Sequence, residues 1–282
     1  MVYIMKKVLG LILLLIIVAG QFATAQDDVK RLYDKGIHDK RPIPYPHLRE
    51  ADVMWSKQIW RIVDLREKMN QVLYFPKFPM GDRYSLIDVL MGEIKSGVID
   101  VYNGDDMYNM VEKVTLDDIN KKFGAGEETI TIQDPETGEY KETTIVRDIN
   151  TSEIMQYMLW EEWYFDKKHS IMRVRILGIC PIRIYTDPET NMTNKVRVFW
   201  AYYPDFRNTL ANHEVFNPAN DAHRISYDDL FMQRRFSSYI IAESNVYDNR
   251  LINQYQTGRS ALLEAERIKE ELFNFEHDLW EY

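Results

Sequence analysis

Tyr157-Met158-Leu159-Trp160-Glu161-Glu162-Trp163-Tyr164-Phe165 is the stretch on which the fold class turns. Its apolar positions can be laid on a helix, but its aromatic density favours a pleated, half-buried surface. It runs into Asp166-Lys167-Lys168-His169-Ser170, a polar turn, and Met172 to Ile179 then supplies a returning strand. The segment therefore reads as one arm of a hairpin. On a strand, the adjacent Glu161 and Glu162 point to opposite faces.

Further hairpins lie on either side. Thr129 to Ile132 and Thr143 to Val146 alternate across Asp134-Pro135-Glu136-Thr137-Gly138, a run of turn residues. Ile182 to Tyr185 and Val196 to Tyr202 face each other across Asp187-Pro188-Glu189-Thr190-Asn191. Helices are expected outside this β region. The first begins near Leu48, with Glu50 and Asp52 at the positive end of its dipole and Trp55, Ile59, Ile62 and Val63 on one stripe. The second runs from the Ser85 cap, through Leu86, Leu90 and Ile94, to Gly97. Val98 to Tyr102 reads as a strand closed by Asn103-Gly104, and Thr115 caps a short helix ending at Gly124. Near the other end, Ser226 with Asp229 opens a helix expected to extend through Phe231, Phe236 and Ile240. Ser260 to Leu279 forms a charged amphipathic helix, either docked on its own domain or presented to a partner. The class is α+β, with antiparallel β-hairpins in the middle and helices from the N- and C-terminal parts packed on them.

The first residues address the compartment. Met5-Lys6-Lys7, the apolar run Val8 to Ala19 and the small residues Ala23-Thr24-Ala25 form a secretory signal peptide over residues 1–25, cleaved between Ala25 and Gln26. A dozen apolar residues fall short of the roughly 20 that span a bilayer. The lone Cys180 offers no thiol at the cleavage site for a lipid and no partner for an internal disulfide, and it reads as a small buried apolar residue. Export, periplasmic residence and no membrane span after cleavage follow as expectations. Residues 26–47 form an extended arm, because Pro42, Pro44 and Pro46 in Arg41-Pro42-Ile43-Pro44-Tyr45-Pro46 hold the backbone open. Residues 48–282 make one α+β domain. A faint echo between Asp52-Val53-Met54-Trp55 and Asp229-Leu230-Phe231-Met232 raises the option of two helical sub-units around 48–125 and 205–282.

The formal charge is −9, and −11 once Lys6 and Lys7 are removed, which disfavours nucleic acid as a partner. Catalytic patterns are scarce. The six histidines contain no H-E-x-x-H pair, and there is no P-loop, G-x-S-x-G or G-x-G-x-x-G. His213, Glu214, Asp221 and His223 form the one loose cluster with zinc-ligand residue types, and surface or core roles explain those residues more simply. Asp228-Asp229 sit at a helix start, where capping accounts for them. Catalytic residues, cofactors and metal ligands are accordingly assigned to none. Six Trp and 18 Tyr fill a core or supply sticky interfaces.

Several stretches together resemble the GldN/PorN family of the gliding and type IX secretion machinery of Bacteroidetes. They are Arg49-Glu50-Ala51-Asp52-Val53-Met54-Trp55-Ser56-Lys57 running on to Asn70, Trp163-Tyr164-Phe165-Asp166-Lys167-Lys168, Tyr203-Pro204-Asp205-Phe206-Arg207, and Arg235-Phe236-Ser237-Ser238-Tyr239-Ile240. The resemblance implies a non-enzymatic periplasmic subunit. It would build a ring with a GldK/PorK-type outer-membrane lipoprotein and neighbouring copies of itself, and would meet the periplasmic part of a GldL/GldM (PorM-type) motor. It transfers no active-site residues. Candidate interface residues are Arg41, Pro42, Pro44, Tyr45 and Pro46 on the arm, expected to lie on an adjacent subunit or the lipoprotein, with Trp160, Trp163 and Tyr164, whose alternative is core packing. The rival readings are a periplasmic binding module with an aromatic cleft for peptide or glycan, and a carboxylate- or metal-dependent hydrolase.

Overall fold

A computed structural model describes Ile37 and residues 40–133, 140–147, 149–187, 191–218, 220 and 223–279, with backbone only for 127–133 and 140–147. The signal-peptide assignment and the tips at 134–139 and 188–190 lie outside the described residues. From Ile37 onward the chain forms one compact unit.

A 3-10 turn over Glu50–Asp52 leads into β1 (Val53–Asp64), followed by α1 (Gln71–Tyr74), α2 (Leu86–Ser96), β2 (Val101–Asn103) and α3 (Leu116–Lys122). Then come the hairpin β3 (Gly126–Gln133) and β4 (Tyr140–Arg147), the long strands β5 (Ile154–Asp166) and β6 (Ile171–Thr186), and β7 (Thr193–Arg197) with β8 (Phe199–Tyr202). The last part comprises α4 (Tyr203–Asn212), β9 (Glu214–Val215), β10 (Ile225–Ser226), α5 (Tyr227–Met232), β11 (Tyr239–Glu243), α6 (Ile252–Tyr255) and α7 (Arg259–Asp278).

The main sheet has seven strands in the order β11-β1-β5-β6-β8-β2, with β7 also paired to β6, and all its pairings are antiparallel. The β5–β6 hairpin is central, and it turns over at the polar residues read from the sequence. The β3–β4 pair forms a separate two-stranded sheet, and β9–β10 another. The class is thus α+β with helices from both ends of the domain.

One expected helix proves to be a strand, and another ends earlier than expected. The Trp55–Val63 stripe belongs to β1, which pairs along its length with β5, Trp60 opposite Trp160 and Val63 opposite Tyr157. Both of its faces are covered in the second half, so polar residues do not alternate and the apolar run carries no two-residue period. The helix opened by Ser226 stops at Met232, because Arg234 adopts φ 52°, a left-handed conformation that cannot continue it. Ile240 then lies in β11, against β1. The sequence echo accordingly joins a strand to a helix rather than two copies of one element.

The helices that carry explicit caps form as their residues dictate. Ser85 Oγ accepts the Asp88 amide at the start of α2, and Gly97 at φ 69° ends it. Thr115 does the same for α3. Ser226 and Asp229 make a reciprocal capping box on α5.

One sheet face carries Ile59, Arg61, Val63, Tyr157, Leu159, Glu161 and Trp163, as the pairing of β1 with β5 requires. Leu86, Leu90, Phe206, Leu210, Leu230 and Phe231 pack over its Val63–Tyr157 end. The α7 residues Ala261, Ala265, Ile268 and Leu272 pack over its Ile59 end, with Trp55 and Trp163 alongside. Fully burying a leucine such as Leu90 stabilises by roughly 1.5–3 kcal/mol. The opposite face presents Trp60, Ile62, Met158, Cys180 and Trp200 to a loop containing Met107, Tyr108 and Met110. Cys180 is fully buried there, and burial pushes its thiol up to about 12, so it behaves as the small apolar residue its strand context implies.

Candidate functional site

The three prolines of the arm deprive it of amide donors, so side chains from the body must hold it. They do so over residues 40–47. Arg207 donates through Nη2 to the Ile43 carbonyl at 2.7 Å, and Arg175 donates to the Pro46 carbonyl at 3.1 Å. The Tyr45 ring lies between the same two guanidinium groups, 4.2 Å from Arg207 and 5.0 Å from Arg175. Burial raises the Tyr45 phenol above its ordinary value. Lys40 pairs with Asp229, and Ile37 is buried.

Asp228 fixes the more important clamp. It accepts from Arg207 Nε at 3.0 Å, from Arg207 Nη2 at 3.1 Å and from the Tyr203 hydroxyl at 2.9 Å. Asp229 therefore does the capping, while Asp228 turns inward. Arg41 to Pro46 thus has a seat on the chain's own body through Ile43, Tyr45 and Pro46. The seat needs no second chain because Arg175, Arg207 and Asp228 all belong to the same domain.

Replacing Tyr45 with Ala removes both cation–π contacts while leaving the core intact. The expected loss is about 1–2 kcal/mol, with faster proteolytic cleavage between residues 40 and 48. A cleavage rate equal to wild type would mean that Tyr45 does not hold the arm.

Trp160, Trp163 and Tyr164 are occupied within the chain. Trp160 is half-buried, stacked on Trp60 with centroids 5.7 Å apart and edge-on to Trp200. The Trp163 indole donates to Glu161 at 2.9 Å, and Arg61 and Arg234 lie over its ring. Tyr164 is buried beneath Arg175. All three therefore have packing partners within the chain, with Trp160 and Trp163 remaining partly exposed.

Two members of the histidine cluster have other partners. Glu214 pairs with Arg83 at 3.2 Å and Arg224 at 3.1 Å, and His213 Nδ1 lies 2.8 Å from the Thr209 carbonyl. Asp221 is outside the described residues. Among the described residues no group of three His, Cys, Asp or Glu side chains could hold a metal ion, and no helix is long and apolar enough to cross a membrane.

The open apolar surface lies elsewhere, in a stretch the sequence reading passed over. Asn70 is buried and bonds Asp64 and Ser237, fixing the chain as it leaves β1. The segment beyond it then forms a groove of about 690 Å³ lined by Val72, Phe75, Pro76, Phe78, Met80 and, from across the fold, Phe216. Phe78 is 81% exposed and Met80 70%. Lys68, Lys77 and Arg83 also line the groove, with no carboxylate among its lining residues. The signal lies in Phe75-Pro76-Lys77-Phe78-Pro79-Met80, where two prolines interrupt large apolar residues and keep them out of helix or strand.

The family model for the gliding motility associated protein GldN matches residues 48–281. The chain belongs to the GldN family. A search of curated proteins finds no match. The GldN match begins two residues after Pro46, so the seated arm lies just ahead of it, whereas the groove and α7 fall inside it. Membership of a gliding-motility family also fits the gliding and type IX reading drawn from the sequence.

Proposed function

We propose that this GldN-family chain is a non-enzymatic structural subunit of the gliding and type IX secretion machinery, exported to the periplasm. There it assembles with a GldK/PorK-type outer-membrane lipoprotein and neighbouring copies of itself into a ring coupled to the GldL/GldM motor. The observation that carries this reading is the GldN match over nearly the whole domain. Two features support it: a large sheet braced on both faces, suited to bearing load, and large apolar side chains left outside that core. Solvent-exposed apolar patches of this kind mark interaction sites.

The test is affinity capture of the tagged chain from gently solubilised membranes, with the captured proteins identified by mass spectrometry. Stoichiometric recovery of an outer-membrane lipoprotein is expected. Recovery of the chain alone from the periplasmic fraction, with no lipoprotein at any detergent strength, would overturn the proposal.

A further inference from the structure

The basic apolar groove and the outer face of α7 are complementary, and they lie at opposite ends of β1. The groove starts at Lys68, just past the end of β1 at Asp64, while α7 packs on Trp55 and Ile59. Nine residues of strand separate Trp55 from Asp64, about 30 Å at roughly 3.3 Å per residue.

The groove brings an apolar floor and three cations. Among the described residues neither Lys68 nor Lys77 has an ion-pair partner, and Lys77 lies over the face of Tyr74. The helix brings the opposite set. Ala261, Ala265, Ile268 and Leu272 face the core, which leaves Leu262 at 64% and Phe273 at 66% exposure on the outward stripe. They are eleven residues apart, three turns of one helical face. The helix carries six carboxylates against three Lys and Arg. Among the described residues Glu270 and Glu276 pair with no cation.

We infer that the groove binds the outer face of α7 from a second copy of this chain. Leu262 and Phe273 enter between Phe75, Phe78, Met80 and Phe216, while Glu270 and Glu276 meet Lys68 and Lys77. The two patches differ and face different ends of the molecule, so the contact is head-to-tail and propagates into a ring or an open filament. This inference rests on the structural-subunit reading and names the contact between copies.

The test is sedimentation velocity of the purified chain over a concentration series. Self-association is expected, weakened at high salt as its charges are screened. Phe78→Asp with Met80→Asp, or Leu262→Asp with Phe273→Asp, should each give monomers. All four residues are exposed, so the fold should survive, and circular dichroism checks it. Mixing the two defective proteins should give a heterodimer that cannot grow, since one retains the helix and the other the groove. Lys68→Glu with Lys77→Glu should weaken association about tenfold, and Glu270→Lys should restore part of it.

A wild type that stays monomeric throughout, or variants that associate as wild type does, would overturn the inference. Groove variants that lose the lipoprotein in affinity capture but keep self-association would overturn it too, while leaving the structural-subunit reading in place.

Discussion

Glu161→Ala is expected to destabilise the fold by about 3–5 kcal/mol, measured as a shift in the urea unfolding midpoint. Glu161 is 0% exposed at the seam where the two helical packings on one sheet face meet. Its carboxylate accepts from Arg61 at 2.9 Å, from Arg234 at 2.9 and 3.3 Å and from the Trp163 indole at 2.9 Å. Arg61 is itself buried, so removing the carboxylate strands a guanidinium away from water. A buried pair is not by itself a source of stability, because desolvation offsets its attraction. The large cost comes from breaking one side only. The double replacement Glu161→Leu with Arg61→Met should therefore be less harmful than Glu161→Ala alone. A single variant within 1 kcal/mol of wild type would show that Glu161 is not buried against Arg61.

The same group has a pH signature. Burial alone would raise the Glu161 carboxyl, but Arg234 and Arg61 outweigh it and hold the folded-state value below the ordinary 4.5. A depressed carboxylate contributes stability above its unfolded value and loses it as pH falls through the folded one. The stability gap between wild type and Glu161→Gln should thus be full above pH 4.5 and narrow below it. A gap that widens on acidification would contradict the assignment.

Trp60→Ala is the second large effect, about 3–5 kcal/mol. Trp60 is fully buried on the other sheet face, stacked on Trp160 and edge-on to Tyr108. Its indole donates to the Met107 carbonyl at 3.0 Å, as the Trp200 indole donates to Asp106 at 2.8 Å. These two bonds tie the loop after β2 over the sheet. That loop also needs Gly104, where a Cβ would come within 2.8 Å of the Arg197 carbonyl oxygen. The substitution should therefore lower stability and speed amide exchange across residues 104–110. Trp60→Phe, which keeps the ring but loses the donor, should cost less. Unchanged exchange in Trp60→Ala would mean that the loop is held by other contacts.

Elements whose ends carry explicit chemistry were legible in the sequence. Ser85, Thr115 and Ser226 each announce a helix start, Gly97 a helix end, and Asp166 to Ser170 a hairpin tip. What failed was period. The first half of β1 alternates weakly, and its second half, Ile59-Trp60-Arg61-Ile62-Val63, is covered on both faces, so burial erased the alternation that marks a strand. The Arg234 turn was hidden because arginine rarely adopts positive φ, and only the tertiary pairing of its guanidinium with Glu161 shows what the turn achieves. Likewise the strand assignment alone puts Glu161 and Glu162 on opposite faces. That one face was sealed required the positions of Arg61, Arg234 and α7, which are distant in sequence. The groove stayed unread because its lining joins residues 68–83 to Phe216 and Pro218.

Reconstitution tests the account most directly. If the proposed function holds, residues 26–282 mixed with a purified GldK/PorK-type outer-membrane lipoprotein and imaged by electron microscopy should form closed rings of repeating subunits. Two proteins that remain separate and monomeric at high concentration would contradict it.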